Sequence, residues 1–188
     1  MTTRPSPAPT AAAVLMGGGS TRMGSPKQHV DISGVPMGMR MIDLVRNCCK
    51  LVVVSGPDHS MAGMEHIADL PAHTGFGPLA GIEAVLASGK ASRWIVLPCD
   101  MPSLTAATIE QLLGSTAPVA ALRSSDNPST PLQLPLALDV SVLGSITAFL
   151  STGRRAVGGW LETMDVDLLP PPAACELHNI NSPDDLLS

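Results

Sequence analysis

Val14-Leu15-Met16-Gly17-Gly18-Gly19-Ser20-Thr21-Arg22-Met23-Gly24-Ser25-Pro26-Lys27 is the stretch on which the reading of this chain turns. An apolar run ends in three glycines, and a short polar segment then supplies an arginine and a lysine. Glycines lack a Cβ, so backbone N–H groups can come close to an anion while Arg22 and Lys27 bring the opposing charge. Such a loop after a first strand suits a nucleoside triphosphate. The commonest phosphate loops do not fit. A P-loop needs Gly-Lys-Ser/Thr after its four-residue spacer, but Gly24 is followed by Ser25-Pro26 and Lys27 comes two positions late. A G-x-G-x-x-G counted from Gly17 puts Arg22 where the third glycine belongs.

Outward from this loop, short aliphatic runs alternate with helical spacing. Residues 11–16 read as a first strand. Residues 37–49 place Met37, Met41, Leu44, Val45 and Cys48 on one helical face and lead into a second strand, Leu51–Ser55. Pro78–Ala87 starts with proline in a first helical turn and gathers Leu79, Ile82, Val85 and Leu86 on one side. Residues 94–98 form a buried strand, Ser103 or Thr105 can cap a helix over 106–113, and 119–122 is a further strand. Prolines 131 and 135 make 131–138 an edge strand rather than a central one. Residues 142–150 and 156–161 have helical spacing, 164–168 and 176–180 read as strands, and a last short helix starts at Pro183. This βαβ alternation predicts an α/β domain with a mainly parallel sheet and helices on both faces. No linker or repeat divides residues 11–188, and 1–10, rich in proline, threonine and serine, read as a disordered lead-in.

Composition narrows the function classes. The 188 residues are 45% hydrophobic but only 2% aromatic, so the core is aliphatic and stacking platforms for single-stranded nucleic acid are not expected. Net charge is −5 without a lysine or arginine cluster, which argues against nucleic-acid and anionic-membrane partners. No apolar run approaches the roughly 20 residues of a transmembrane helix. The four cysteines and five histidines show no metal or redox spacing, and they read as reduced thiols and isolated imidazoles of a cytoplasmic protein.

Ligands of open α/β sheets bind at the carboxyl ends of the strands. Two carboxylates are placed there. Asp100 closes the most hydrophobic strand, where one hard oxygen ligand suits Mg²⁺ held jointly with substrate phosphates. The other duty open to it, capping the next helix, is better met by Ser103 or Thr105. Asp69 ends a short apolar segment and suits either role.

Leu15 to Lys27 matches L-x-G-G-x-S-x-R-M-G-x-x-K, and the chain here resembles the nucleotidyltransferase superfamily with its Rossmann-like single-domain fold. Gly77-Pro78-Leu79-Ala80-Gly81-Ile82 and Asn179-Ile180-Asn181-Ser182-Pro183-Asp184-Asp185-Leu186 are similar to elements of the molybdenum cofactor guanylyltransferases. With Cys99-Asp100-Met101-Pro102 the motifs run in family order over nearly the whole chain. The resemblance implies transfer of GMP from GTP to the terminal phosphate of molybdopterin, with Mg²⁺ and release of pyrophosphate. Leu15, Met16, Gly17 and Gly18 would wrap the guanine and ribose, Lys27 and Arg22 would neutralise the triphosphate, and Ser55 and Asp69 would contact the nucleotide. Asp100 would hold the metal, and Arg154, Arg155, Asn179 and Asn181 would line the acceptor side. Transient contacts with cofactor-biosynthesis proteins or apo-molybdoenzymes are also implied.

Three departures bear on base choice. Met16 replaces a small residue and is expected to crowd the base pocket, Pro26 stands where this branch has aspartate and relatives using CTP have proline, and Ser55 replaces an asparagine. A CTP-using transferase, or a non-catalytic nucleotide-binding scaffold, remains the alternative; the scaffold reading expects loss of Lys27 or Asp100, and both are present.

Overall fold

β-Branched and small aliphatic residues in short runs build the sheet. The computed structural model describes residues 10–16, 26–56, 61, 63–124, 129, 131–171, 173, 176, 179–180 and 185. The strands in its main sheet are β1 (Thr10–Leu15), β4 (Leu51–Ser55), β5 (Glu65–Ile67), β6 (Arg93–Pro98), β7 (Val119–Arg123), β8 (Pro131–Asp139) and β9 (Asp167–Leu169). Their order is β5-β4-β1-β6-β8-β7-β9. Strands β5, β4, β1 and β6 are mutually parallel; β8 is antiparallel to both of its neighbours, and β9 runs parallel to β7.

The two-residue side-chain period divides the strands between two cores. Ala11, Ala13, Leu15, Trp94, Val96, Ala121 and Leu138 face α2 (Pro78–Ala87), α4 (Leu143–Ser151) and α5 (Val157–Leu161). Ala12, Val14, Met16, Ile95, Leu97, Ala120 and Ala137 face α1 (Met37–Arg46) and α3 (Ala106–Gly114). The core is mainly aliphatic as expected; its aromatic members are Phe149 and two fully buried tryptophans whose indole N–H groups donate to Ala91 O at 3.2 Å (Trp94) and Ser145 Oγ at 3.1 Å (Trp160). Among the described residues no helix is long and apolar enough to cross a membrane.

Most expected elements form within a residue or three of their predicted bounds, and three findings differ. First, 131–138 is not an edge strand: β8 lies between β6 and β7. Its regular pairing with β6 begins at Leu136, and its register with β7 shifts between Ala121 and Arg123. Pro131, which has no N–H to donate, pairs with Arg123 of β7 at the very start of the strand, and Pro135 stands in the irregular stretch before the regular pairing. Second, of the strand expected over 176–180 the described residues are 176, 179 and 180, and none of them is in a strand; Glu176 is in a short turn. Third, the predicted helix 37–49 ends at Arg46 and is preceded by a hairpin, β2 (Asp31–Ile32) and β3 (Val35–Pro36), that the periodicity does not announce. Its turn puts Ser33 and Gly34 at φ 54° and 85°, with the Gly34 N–H on Asp31 Oδ1 at 2.6 Å. The lead-in 1–9, the glycine-loop residues 17–25 and the helix expected at Pro183 lie outside the described residues.

Candidate functional site at the carboxyl ends of the strands

Parallel pairing brings three strand ends level. Leu15 pairs with Ser55 on one side and with Pro98 on the other. The chain leaves the sheet there as Met16, Gly56 and Cys99-Asp100, at the position where helices to either side of β1 diverge. The Met16 N–H donates to Ser55 O at 2.6 Å. Gly56 has φ 140°, and a Cβ built on it would lie 1.7 Å from Met16 O, so glycine alone lets these two loops touch.

Lys27 enters from the other end of the glycine loop. Lys27–His29 form a short turn seated on α1, where Gly38 leaves room: a Cβ there would be 2.9 Å from Gln28 Cβ and 3.2 Å from both Gln28 O and Met16 Cε. From this turn Lys27 Nζ reaches Asp100 Oδ2 at 2.8 Å, across 73 positions of sequence, with side chains only 14% and 18% exposed. The two residues to which the sequence assigns the triphosphate and the metal are thus each other's partner. Gly38→Ala is expected to lift this turn off α1 and lower the urea midpoint by an amount equivalent to about 1–3 kcal/mol, as overpacking does. An unchanged midpoint would show that the turn has slack.

The closing motif arrives at the same place. Ile180, buried, donates its N–H to Asp100 O at 3.0 Å and leaves Asn179 exposed beside the strand end. Glu176 fastens this tail. Its Oε2 accepts from the Thr105 N–H at 3.1 Å, Thr105 Oγ1 at 3.0 Å and Thr108 Oγ1 at 2.5 Å, at the start of α3. Thr105 Oγ1 in turn caps the Thr108 N–H. Burial works to raise the Glu176 pKa, but the hydrogen bonds from Thr108 and Thr105 outweigh it and hold the carboxyl below its ordinary value. The tail's stabilisation is therefore complete above about pH 4.3, the ordinary glutamate value, and is lost as pH falls through the lower folded-state value. The difference in urea midpoint between wild type and Glu176→Gln should be constant above that pH and shrink below it; a difference independent of pH would exclude this linkage.

Asp69 stands after β5 at the same sheet end, three strand positions from β6, a separation of about 14 Å. Its Oδ2 accepts from the Gly75 N–H at 2.9 Å and so shapes its own loop. Ser55 is fully buried, its hydroxyl turned onto Gly81 O of α2 at 3.5 Å rather than toward the cleft. The Met16 side chain, 2% exposed, lies in the core against α1. The side chain expected to crowd the base pocket is thus turned onto α1, with its Cε beside Gly38. Arg154 and Arg155 are not free arms. Their guanidinium groups lie 4.2 Å over Phe149 and 3.9 Å over Phe76, the latter in the loop between β5 and α2. Gly17, Gly18, Arg22 and Asn181 lie outside the described residues.

Lys27, Asp100, Leu15, Met16 and Asn179 therefore converge, Asp69 and Arg155 border the same end, and Ser55 is turned inward. Glu176, Gly38, Gly56 and the buried Glu83 of α2 escaped sequence reasoning; the single acidic residue inside an otherwise apolar helix was the available signal for Glu83. Among the described residues no thiol stands as a nucleophile: Cys99 is buried behind Asp100, and burial with neighbouring Cys48 pushes the Cys49 thiol up to about 11. Among the described residues, no three His, Cys, Asp or Glu side chains could jointly hold a metal.

Comparison with known proteins agrees with this geometry. Residues 12–165 match the family described as the MobA-like NTP transferase domain. The chain is 34% identical over 183 residues to a molybdenum cofactor guanylyltransferase of Xanthomonas euvesicatoria pv. vesicatoria, covering 94% of this chain and 92% of that one. It is 28% identical over 187 residues to a molybdenum cofactor biosynthesis bifunctional protein of Synechocystis sp., covering 94% of this chain but only about half, 52%, of that protein. In three dimensions it is similar to molybdopterin-guanine dinucleotide biosynthesis protein A of Archaeoglobus fulgidus, with a TM-score of 0.75, 25% identity and coverage of 94% and 95%. The family match over residues 12–165 and the 34% identity to a guanylyltransferase across nearly the whole of both chains place the chain in the MobA-like NTP transferase family, and it is a nucleotidyltransferase.

Proposed function

We propose that this enzyme transfers GMP from GTP to the terminal phosphate of molybdopterin. The observation that carries the reading is the Lys27–Asp100 contact at the strand ends, supported by the guanylyltransferase names of the relatives. An acceptor phosphate oxygen attacks the α-phosphorus of GTP, the bond to the β-phosphate oxygen breaks, and pyrophosphate leaves with the electron pair. The protein contributes positioning and charge.

Mg²⁺ suits the donor set. One partly exposed carboxylate with no ready-made cage is what a cation needs when it arrives with phosphates already bound. Bound there, the ion would offset charge on the attacking and leaving oxygens. A triphosphate would compete with Asp100 for Lys27 Nζ, and Asp100 Oδ2 would then be the oxygen that holds the cation accompanying the phosphates. Arg22 supplements Lys27 on the pyrophosphate side. Asn179 and Asn181 offer amides to the pterin edge. Arg155 lines the acceptor side through its stack on Phe76, and Arg154 flanks it.

Guanine presents N1–H and N2–H₂ donors that backbone carbonyls along Leu15 to Gly18 can read, and with the Met16 side chain in the core the substitution leaves them in place. Cytosine would leave such buried carbonyls unpartnered at about 1–3 kcal/mol each. GTP is therefore expected to exceed CTP by at least about tenfold in kcat/KM. Pyrophosphate release with molybdopterin, Mg²⁺ and each nucleotide in turn tests this. Pro26 favours the cytidylyl reading, and CTP matching or beating GTP would establish it.

A further inference from the structure

Glu83 is the single charge in helix α2, and its carboxylate is completely buried. Oε2 is 2.7 Å from His73 Nδ1, and Oε1 accepts from Thr147 Oγ1 of α4 at 2.6 Å. A leucine could fill this slot between α2 and α4 without the desolvation that a buried carboxylate suffers, so stability alone gives no reason for the charge. Its partner gives one. His73, also buried, belongs to the loop 69–77, and two backbone hydrogen bonds of that loop run through it. The His73 N–H donates to Leu70 O at 3.0 Å, and His73 O accepts from the Phe76 N–H at 3.0 Å. The Phe76 ring centroid is 5.6 Å from the imidazole and carries the Arg155 guanidinium on its face. At the head of the loop Asp69 holds the Gly75 N–H. Hydrophobic contacts would let such a loop slide, whereas a directional bond from His73 to a buried carboxylate that Thr147 holds in turn fixes its position.

We propose that the His73–Glu83–Thr147 network is a positioning device that holds the 69–77 loop so that the Asp69 carboxylate meets the nucleotide. The proposal rests on the nucleotidyl-transfer reading of the site, and none of the three residues touches substrate. Glu83 acts through His73, and Thr147 orients Glu83 from the helix that precedes the Arg154-Arg155 turn.

The test uses the full chain with His73→Leu/Glu83→Leu, which removes both polar partners together, and Glu83→Gln, whose amide can accept from His73 and donate to Thr147. The double variant should stay folded, exchange the Gly75 and Phe76 amide protons at least about tenfold faster and raise the KM for nucleotide about tenfold, the loss expected of one well-placed contact, with kcat within about twofold. Glu83→Gln should restore both readouts. Unchanged amide exchange in the folded double variant would overturn the proposal, as would faster exchange with an unaltered nucleotide KM. If the double variant does not fold, Thr147→Val, which removes the donor to one buried carboxylate oxygen, is measured instead. It should shift both readouts in the same direction, and its failure to shift either overturns the proposal. Wild-type protein that binds neither GTP nor CTP in direct titration would sink the reading of the site; variant effects confined to thermal stability would sink only this inference.

Discussion

Lys27→Ala is expected to lower kcat/KM by two to three orders of magnitude while the protein stays folded. A cation facing developing phosphate charge in a partly desolvated site contributes on the order of 3–4 kcal/mol to the transition state. Its loss should cost the fold little, because ion pairs that keep some solvent contact contribute about 0–1 kcal/mol. The Lys27–Asp100 pairing adds a second readout. With the lysine gone, Asp100 has lost the cation it faces at 2.8 Å, so the nucleotide-free protein should bind Mn²⁺ more tightly than wild type does, as calorimetry or paramagnetic resonance would show. Full activity in this variant would remove the phosphate-loop reading, and unaltered Mn²⁺ affinity would mean that the pair does not guard the metal position.

Asp100→Asn should reduce Mg²⁺-dependent turnover about a hundredfold or more, since it removes a charge worth several kcal/mol to a bound divalent ion. Binding of nucleotide without metal should be preserved or improved, because Lys27 is then released from a full negative charge. The tail should stay in place, for Ile180 holds the backbone carbonyl of residue 100 and not its side chain. Turnover measured against Mg²⁺ concentration, alongside metal-free nucleotide titration, separates these effects. An unchanged metal dependence would reduce Asp100 to a tether for Lys27.

The strand ladder was legible because its signals are local. Leu51–Ser55 and Pro78–Ala87 form at the bounds their periodicity predicts, and Thr105 caps α3 as its position suggested. Strand β8 was misplaced for the opposite reason. Prolines 131 and 135 carry an edge signal, but only the register with β6 and β7 shows that Pro131 pairs at the strand's first position and that regular pairing begins after Pro135. The residues 176–180 have strand composition, yet Glu176 is claimed by two threonines some 70 positions upstream.

By itself the sequence determined the α/β class, the glycine-rich run that leads to Lys27 and the acidic strand end at Asp100, because each is written in consecutive residues or a short period. Tertiary structure alone decided that Lys27 and Asp100 touch, that Ser55 and the Met16 side chain turn inward, that Arg155 lies on Phe76, and that Glu83 reaches His73. These outcomes depend on which distant backbone passes within hydrogen-bonding or van der Waals range. Chain order does not encode that range; the parallel pairing of β4, β1 and β6 and the packing of α2 against α4 do.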